Sequence, residues 1–121
     1  MDRLINWIEI SVSDFQRAIN FYETILNVNL QKMEMGNAKY ALFPTKDNHN
    51  SGALVQSENH TPASKGTIPY LDGGIDLDII LRKVIDAGGE VLMPKTYFGE
   101  EAGYTGLFLD SEGNRIGLQN F

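Results

Sequence analysis

One strand–helix unit is written twice in this 121-residue chain, and that duplication restricts the possible folds more than any other feature. The first copy opens with the alternating stretch Trp7-Ile8-Glu9-Ile10-Ser11-Val12, passes through Ser13-Asp14 and enters a helix that carries Phe21-Tyr22. The second opens near Thr67 with Ile68-Pro69-Tyr70-Leu71, passes through Asp72-Gly73-Gly74-Ile75-Asp76 and enters a helix ending at Ala87-Gly88-Gly89. Several short strand-like segments follow each copy. Repeated supersecondary units cannot bury their apolar faces alone, so the expectation is an α+β domain made of two strand–helix–strand–strand–strand modules. At about 60 residues, neither half can bury much surface by itself, so the two should share a core or dimerise. The division is a single domain over 1–121, with module one at about 1–57, a polar linker at about 58–66 and module two at about 67–121.

Within module one, Ile8, Ile10 and Val12 alternate with Trp7, Glu9 and Ser11, so an aliphatic face should lie under a helix. The opposite face then presents an indole, a carboxylate and a hydroxyl. Ser13-x-x-Gln16 has the form of a capping box, and Phe15, Ala18, Ile19, Tyr22, Ile25 and Leu26 make one apolar stripe before Asn27. Strands are expected at about 28–35, 38–44 and 52–57, with Gly36-Asn37 as a turn and the polar segment from Pro44 to Ser51 as a loop. In module two, Leu77, Ile80, Leu81 and Val84 form the buried stripe, and Gly88-Gly89 a left-handed cap. Val91 to Met93 is a strand expected to stop at Pro94, followed by a loop from Lys95 to Gly103. Strands from Tyr104 to Leu109 and from Arg115 to Gln119 flank the turn Asp110 to Asn114. Asp110 should accept backbone N–H bonds within that turn.

Composition removes several chemistries. The chain has no cysteine, which excludes disulfides, thiolate catalysis and sulfur-based metal sites. Sixteen acidic against 10 basic residues give a net charge of −6 with no basic cluster, so no nucleic-acid partner is expected. No run of 18 apolar residues or signal-like leader occurs, so a soluble cytoplasmic protein with no membrane partner is expected. Phosphate-cradling loops, dinucleotide fingerprints and the Gly-x-Ser-x-Gly elbow are all missing.

Three groups of residues resemble one family. They are Val12-Ser13-Asp14 leading to Ala18-Ile19-x-Phe21-Tyr22, then Ala87-Gly88-Gly89 before Val91, then Phe108-Leu109-Asp110-Ser111-Glu112-Gly113-Asn114-Arg115-Ile116. The chain is thereby similar to the vicinal oxygen chelate superfamily of glyoxalases, bleomycin-resistance proteins and extradiol dioxygenases, within it an uncharacterised glyoxalase-like branch. The resemblance implies two βαβββ modules forming curled mixed sheets around a shared cleft, and a homodimer that completes or buttresses it. Metal-dependent members carry a His or Gln where this chain has Trp7, and a Glu where it has Gly117. Their other two donors fall near Pro69 or Tyr70 and near Ala53 or Leu54. An indole has no in-plane lone pair, so the usual divalent-metal site is expected to be absent, with no cofactor in its place.

The remaining candidates follow from residue type and parity. Glu9 is the candidate general base: in an apolar cleft beside Trp7, desolvation would raise its pKa. The preferred reading is a structural carboxylate, satisfied by a backbone donor or paired with Arg115 on the inward parity of Gly117 and Gln119, or a ligand anchor. Trp7, Tyr40, Tyr70, Tyr97, Phe98 and Tyr104 are candidates to stack a flat ligand, the 97–104 loop as a mobile lid, and Lys95 as an anchor for an anionic group. His49 and His60 read as loop histidines without paired ligand spacing. The expected ligand-binding set is Trp7, Glu9, Tyr70, Lys95, Tyr97, Tyr104 and Arg115. The expected function is metal-independent binding of a small apolar or aromatic molecule. The alternatives are a divalent-metal lyase, isomerase or dioxygenase, an acid–base catalyst using Glu9, and a non-catalytic interaction subunit.

Overall fold

A computed structural model describes residues 3–46 and 49–121, so the centre of the expected 44–51 loop lies outside the described residues. Strand β1 (Ile8–Ser11) leads into helix α1 (Phe15–Leu26), then β2 (Gln31–Met35), β3 (Ala38–Leu42) and β4 (Gly52–Gln56). The pattern repeats as β5 (Tyr70–Asp72), α2 (Leu77–Asp86), β6 (Glu90–Tyr97), β7 (Tyr104–Leu109) and β8 (Arg115–Asn120). Both sheets have the same strand order, β1-β4-β3-β2 and β5-β8-β7-β6, so the duplication holds at the level of topology. In each, the first strand pairs parallel with the last: Glu9 lies opposite Ala53, and Tyr70 opposite Gly117. The other pairs are antiparallel. No helix among the described residues is long and apolar enough to cross a membrane.

Helix α1 is capped by Asp14, whose carboxylate accepts the Arg17 N–H, and it ends at Asn27 in the left-handed region. The expected Ser13 cap is displaced because Ser13 is bonded elsewhere. Helix α2 starts at Asp76, which accepts the Asp78 N–H. It ends in a Schellman motif, with Gly89 N–H bonded to the Val84 carbonyl at 2.8 Å and Gly88 N–H to that of Ile85. The helices pack on each other, and Phe21 of α1 meets Phe108 of the second sheet at 6.1 Å. Ile10, Val12, Ile19 and Leu54 join Leu77, Val84, Phe108 and Leu118 in one buried cluster spanning both modules.

Three local expectations change. β2 begins at Gln31, not near residue 28, and in the turn to β3 only Gly36 takes a positive φ. β6 does not stop at Pro94 but continues to Tyr97. It is the outer strand of its sheet, where a missing N–H need not break the ladder. Its register with β7 shifts between Val91 and Met93 and again between Met93 and Thr96.

The turn between β7 and β8 joins the modules. Asp110 Oδ1 accepts the N–H groups of Glu112 and Asn114, both at 2.9 Å, and Oδ2 accepts the buried Tyr22 hydroxyl at 2.6 Å. Asn114 donates to Ser11 O at 2.7 Å and accepts the Ala63 N–H at 3.0 Å, tying β1 and the linker to the same turn. Glu112 Oε1 accepts the N–H groups of Ser13 and Asp14 at 3.0 and 2.8 Å, completing the first turn of α1 from the other module. Arg17 meets both oxygens of Glu112, at 2.8 and 3.1 Å.

Burial alone would raise the Glu112 pKa, but Arg17, the Asp14 N–H, the Ser111 hydroxyl and the Ser13 N–H outweigh it and hold it at about 2. A carboxyl depressed below its unfolded value of about 4.3 adds stability that is present above that pH and is lost as the pH falls towards the folded value. Glu112→Gln should therefore lower the unfolding free energy by about 3 kcal/mol at neutral pH. In urea titrations the difference from wild type should shrink steadily as the pH is lowered below about 4. Tyr22→Phe keeps the packing but deprives Asp110 of its shortest donor, and should cost about 1–3 kcal/mol by the same assay.

Candidate functional site

Sheet parity decides which side chains can meet. A Cβ added at Gly106 would lie 3.3 Å from the Leu81 side chain, so Gly106 faces α2, as do its alternates Tyr104 and Phe108 on β7. Thr105 and Leu107 face the open side, with Arg115, Gly117 and Gln119 of β8. In module one, Ile10 is buried beneath α1, and Glu9 and Ser11 take the open side.

On that open side, Glu9 is held by two groups. Trp7 Nε1 donates to Oε2 at 3.1 Å, and His60 Nε2 lies 2.7 Å from Oε1. His60 Nδ1 in turn lies 2.6 Å from Ser57 Oγ, which also accepts the Asn59 N–H at 3.1 Å. The bond to His60 is the main influence on Glu9, partly offset by burial and reinforced by Trp7, and the net effect is a lowered pKa. This is the reverse of the raised value that an apolar cleft would give, so Glu9 is a stabilised carboxylate. Arg115 is not its partner: Nη2 reaches the Gly66 carbonyl at 3.4 Å, and Nε is buried without a hydrogen-bond partner among the described residues. His60 and Ser57 were not legible as site residues. His60 meets Glu9 across 51 positions, with no local spacing to signal it.

The open side of the second sheet holds a separate cavity of about 390 Å³, lined by Tyr70, Met93, Phe98, Ala102, Thr105, Leu107 and Gln119. Tyr70 lies across Gly117, where an added Cβ would come within 2.4 Å of the ring. Gln119 Nε2 donates to the Ala102 carbonyl at 2.8 Å, and Phe98 N–H to Gly103 O at 2.8 Å, so the 98–103 loop is tied to the sheet. Tyr40 is half-buried on the first sheet, opposite Val55.

Lys95, Tyr97 and Tyr104 belong to neither group. Met93 pairs with Leu107 and Thr96 with Thr105, so three steps on β6 match two on β7 and the parity of β6 reverses between them. Tyr97 therefore faces the helix side with Tyr104, their rings 5.1 Å apart. Lys95 Nζ sits 3.2 Å from Asp76 and 3.1 Å from Asp78 at the start of α2, and 5.6 Å from the centre of the Tyr104 ring. Lys95 is an ion-paired strut rather than an anion anchor, and of the expected lid only Phe98 and Ala102 line the cavity.

The positions that the resemblance matches to metal donors hold an indole at Trp7, no side chain at Gly117, the ring of Pro69 or the phenol of Tyr70, and the aliphatic side chain of Ala53 or Leu54. Both Glu9 oxygens are engaged by Trp7 and His60, and no group of three or more His, Cys, Asp or Glu among the described residues could hold a metal ion. This donor set does not fit the divalent ion of the metal-dependent enzymes.

The family model for the Glyoxalase/Bleomycin resistance protein/Dioxygenase superfamily matches residues 4–118. The chain belongs to this superfamily. Comparison with curated proteins finds no match. Among solved structures, a glyoxalase I mutant (V278E) from Zea mays superposes with a TM-score of 0.70 at 19% identity, over 94% of this chain and 44% of that one. The chain thus spans less than half the length of the maize protein. TnmS3, an antibiotic binding protein from Streptomyces sp. CB03234, matches with a TM-score of 0.66 at 21% identity, over 98% and 97% of the two chains. The trypanothione-dependent glyoxalase I of Leishmania major gives 0.66 at 18%, over 98% and 87%. At these identities the likeness is one of fold.

His60→Ala should release the linker from β1 while leaving the core intact. Global stability should fall by less than about 1 kcal/mol, as for a partly exposed side-chain hydrogen bond. Hydrogen exchange of the amides from Ser57 to Ala63 should accelerate at least about fivefold, read by mass spectrometry.

Proposed function

We propose that this domain binds a small, flat, apolar or aromatic molecule in the cavity on the open face of the second sheet, without a metal ion. One observation carries the reading: an aromatic ring, Tyr70, lies across a bare α-carbon, Gly117, on the floor of an open apolar cavity. Tyr70, Phe98, Met93 and Leu107 offer apolar walls, and Thr105 and Gln119 the few polar groups that orient a ligand. Phe98 is 56% exposed and Tyr70 48%, leaving ring surface that a planar ligand would cover. The likeness to an antibiotic binding protein over nearly the whole of both chains supports this reading. Likeness to glyoxalase I supports the enzyme alternative less well, because the donor set differs. We further propose a homodimer, supported by the exposed apolar side chains of Leu4 and Ile5 at 85% and 62%.

Binding is tested with anilinonaphthalene sulfonate and a panel of fused-ring aromatics. Saturable binding should be weakened at least about tenfold by Leu107→Glu, which places a charge in the apolar wall. The same binding should survive exhaustive chelation, and nickel, manganese and zinc should leave the melting temperature unchanged. Metal-induced stabilisation that disappears in Glu9→Ala would overturn the reading. Light scattering tests the dimer.

A further inference from the structure

Ser57, His60 and Glu9 form an unbroken hydrogen-bonded chain that the ligand-binding reading does not use. The Glu9 carboxylate only accepts hydrogen bonds, so the 2.7 Å contact requires the proton on Nε2 of His60. In the neutral imidazole the lone pair then sits on Nδ1, and the hydroxyl 2.6 Å away must be the donor. Ser57 thus points its proton at a base whose far nitrogen is held by a carboxylate. The Asn59 N–H, 3.1 Å from Oγ, occupies an acceptor site of the hydroxyl and fixes its rotamer. The Trp7 N–H, 3.1 Å from Oε2, fixes the carboxylate in the same way. The roles match those of a nucleophile, its base and the group that orients the base, with the two ring nitrogens exchanged relative to the serine-protease arrangement.

The chain opens onto space. A cavity of about 540 Å³, distinct from the one beside Tyr70, is lined by both Ser57 and His60, together with Val12, Asn37, Lys39 and Pro62. Lys39 and Asn37 bring a positive charge and an amide to the same cavity, the groups suited to a developing oxyanion.

We propose that Ser57 is the nucleophile of an acyl-transfer site for small carboxylic esters, with His60 as general base and Glu9 as the residue that positions it. Oγ bonds to the ester carbonyl carbon as its proton passes to Nδ1. The carbon–oxygen bond to the alcohol breaks as Nδ1 returns that proton to the leaving oxygen. Water then repeats the sequence on the acyl-serine, releasing the carboxylic acid and restoring Ser57.

The test uses the full chain with a fluorophosphonate probe and p-nitrophenyl acetate. The probe should attach to Ser57 in peptide mass spectra, and Ser57→Ala and His60→Gln should each reduce labelling and hydrolysis by about 100-fold or more. Glu9→Ala should lower kcat at least about tenfold with KM little changed, because the imidazole loses the acceptor that orients its Nε2–H, whereas Glu9→Gln, whose amide oxygen can still accept that bond, should keep most of the rate. The chain has no cysteine, so Ser57→Cys carries a single thiol, whose alkylation by iodoacetamide should slow at least about tenfold when His60→Gln is added. Labelling unaffected by Ser57→Ala, or a thiol indifferent to His60, overturns the proposal. So does a loss of stability in these variants without any loss of labelling, which assigns the three residues to fastening the linker alone. Failure here leaves the aromatic-ligand reading intact, since that reading rests on the other sheet.

Discussion

The Glu112 carboxylate is the point on which the two halves of this molecule depend. Helix α1 begins with N–H groups that no residue within the helix can satisfy, and its own N-cap, Asp14, satisfies only one of them. Glu112 supplies acceptors for the preceding N–H groups and for Arg17 from the far side of the molecule. Asp110 on the same turn holds Tyr22, one helical turn and more away. The result is a polar seam across an otherwise apolar core. Apolar packing between Phe21 and Phe108 is tolerant of rotation, whereas a set of short charge-assisted bonds is not. The seam therefore sets the angle at which the modules meet, and with it the positions of the two open sheet faces.

Those faces diverge in character. The first carries a bonded carboxylate, imidazole and hydroxyl; the second carries aromatic and aliphatic walls around Gly117. The two register shifts in β6 sharpen the contrast: the first turns Met93 to the cavity beside Leu107, and the second returns Tyr97 to the helix side with Tyr104. On the fold of this superfamily the chain presents two chemically separate surfaces.

Much of the fold was readable from spacing. The apolar stripes of α1 and α2, the helix stops at Asn27 and Gly88, and the 110–114 turn are local signals, and each is realised. The site was less readable, for a definite reason. Trp7 and Glu9 sharing a strand face follows from period-two alternation, and the structure bonds them together. The partner of Glu9, by contrast, arrives from a linker whose path no periodicity encodes, so His60 displaced the expected Arg115. Lys95 and Tyr97 lie on a strand that continues past Pro94, and Tyr104 is turned to the helix side by its parity on β7. A strand that survives a proline on a sheet edge can also absorb extra residues, two in β6, and each one exchanges its two faces.

The separation in sequence between Ser13 and Glu112, 99 positions, has a consequence for how the chain comes into being. Synthesis proceeds from the N-terminus, so the first helix leaves the ribosome long before the acceptors for its opening turn have been made. Until the final hairpin emerges, that helix has the acceptors Asp14 and Gln56 of its own half, but lacks the Glu112 and Asp110 carboxylates that hold Ser13, Asp14 and Tyr22 in the finished domain. Consolidation must wait for the last strand pair, which makes this a domain that locks as a whole rather than one half at a time.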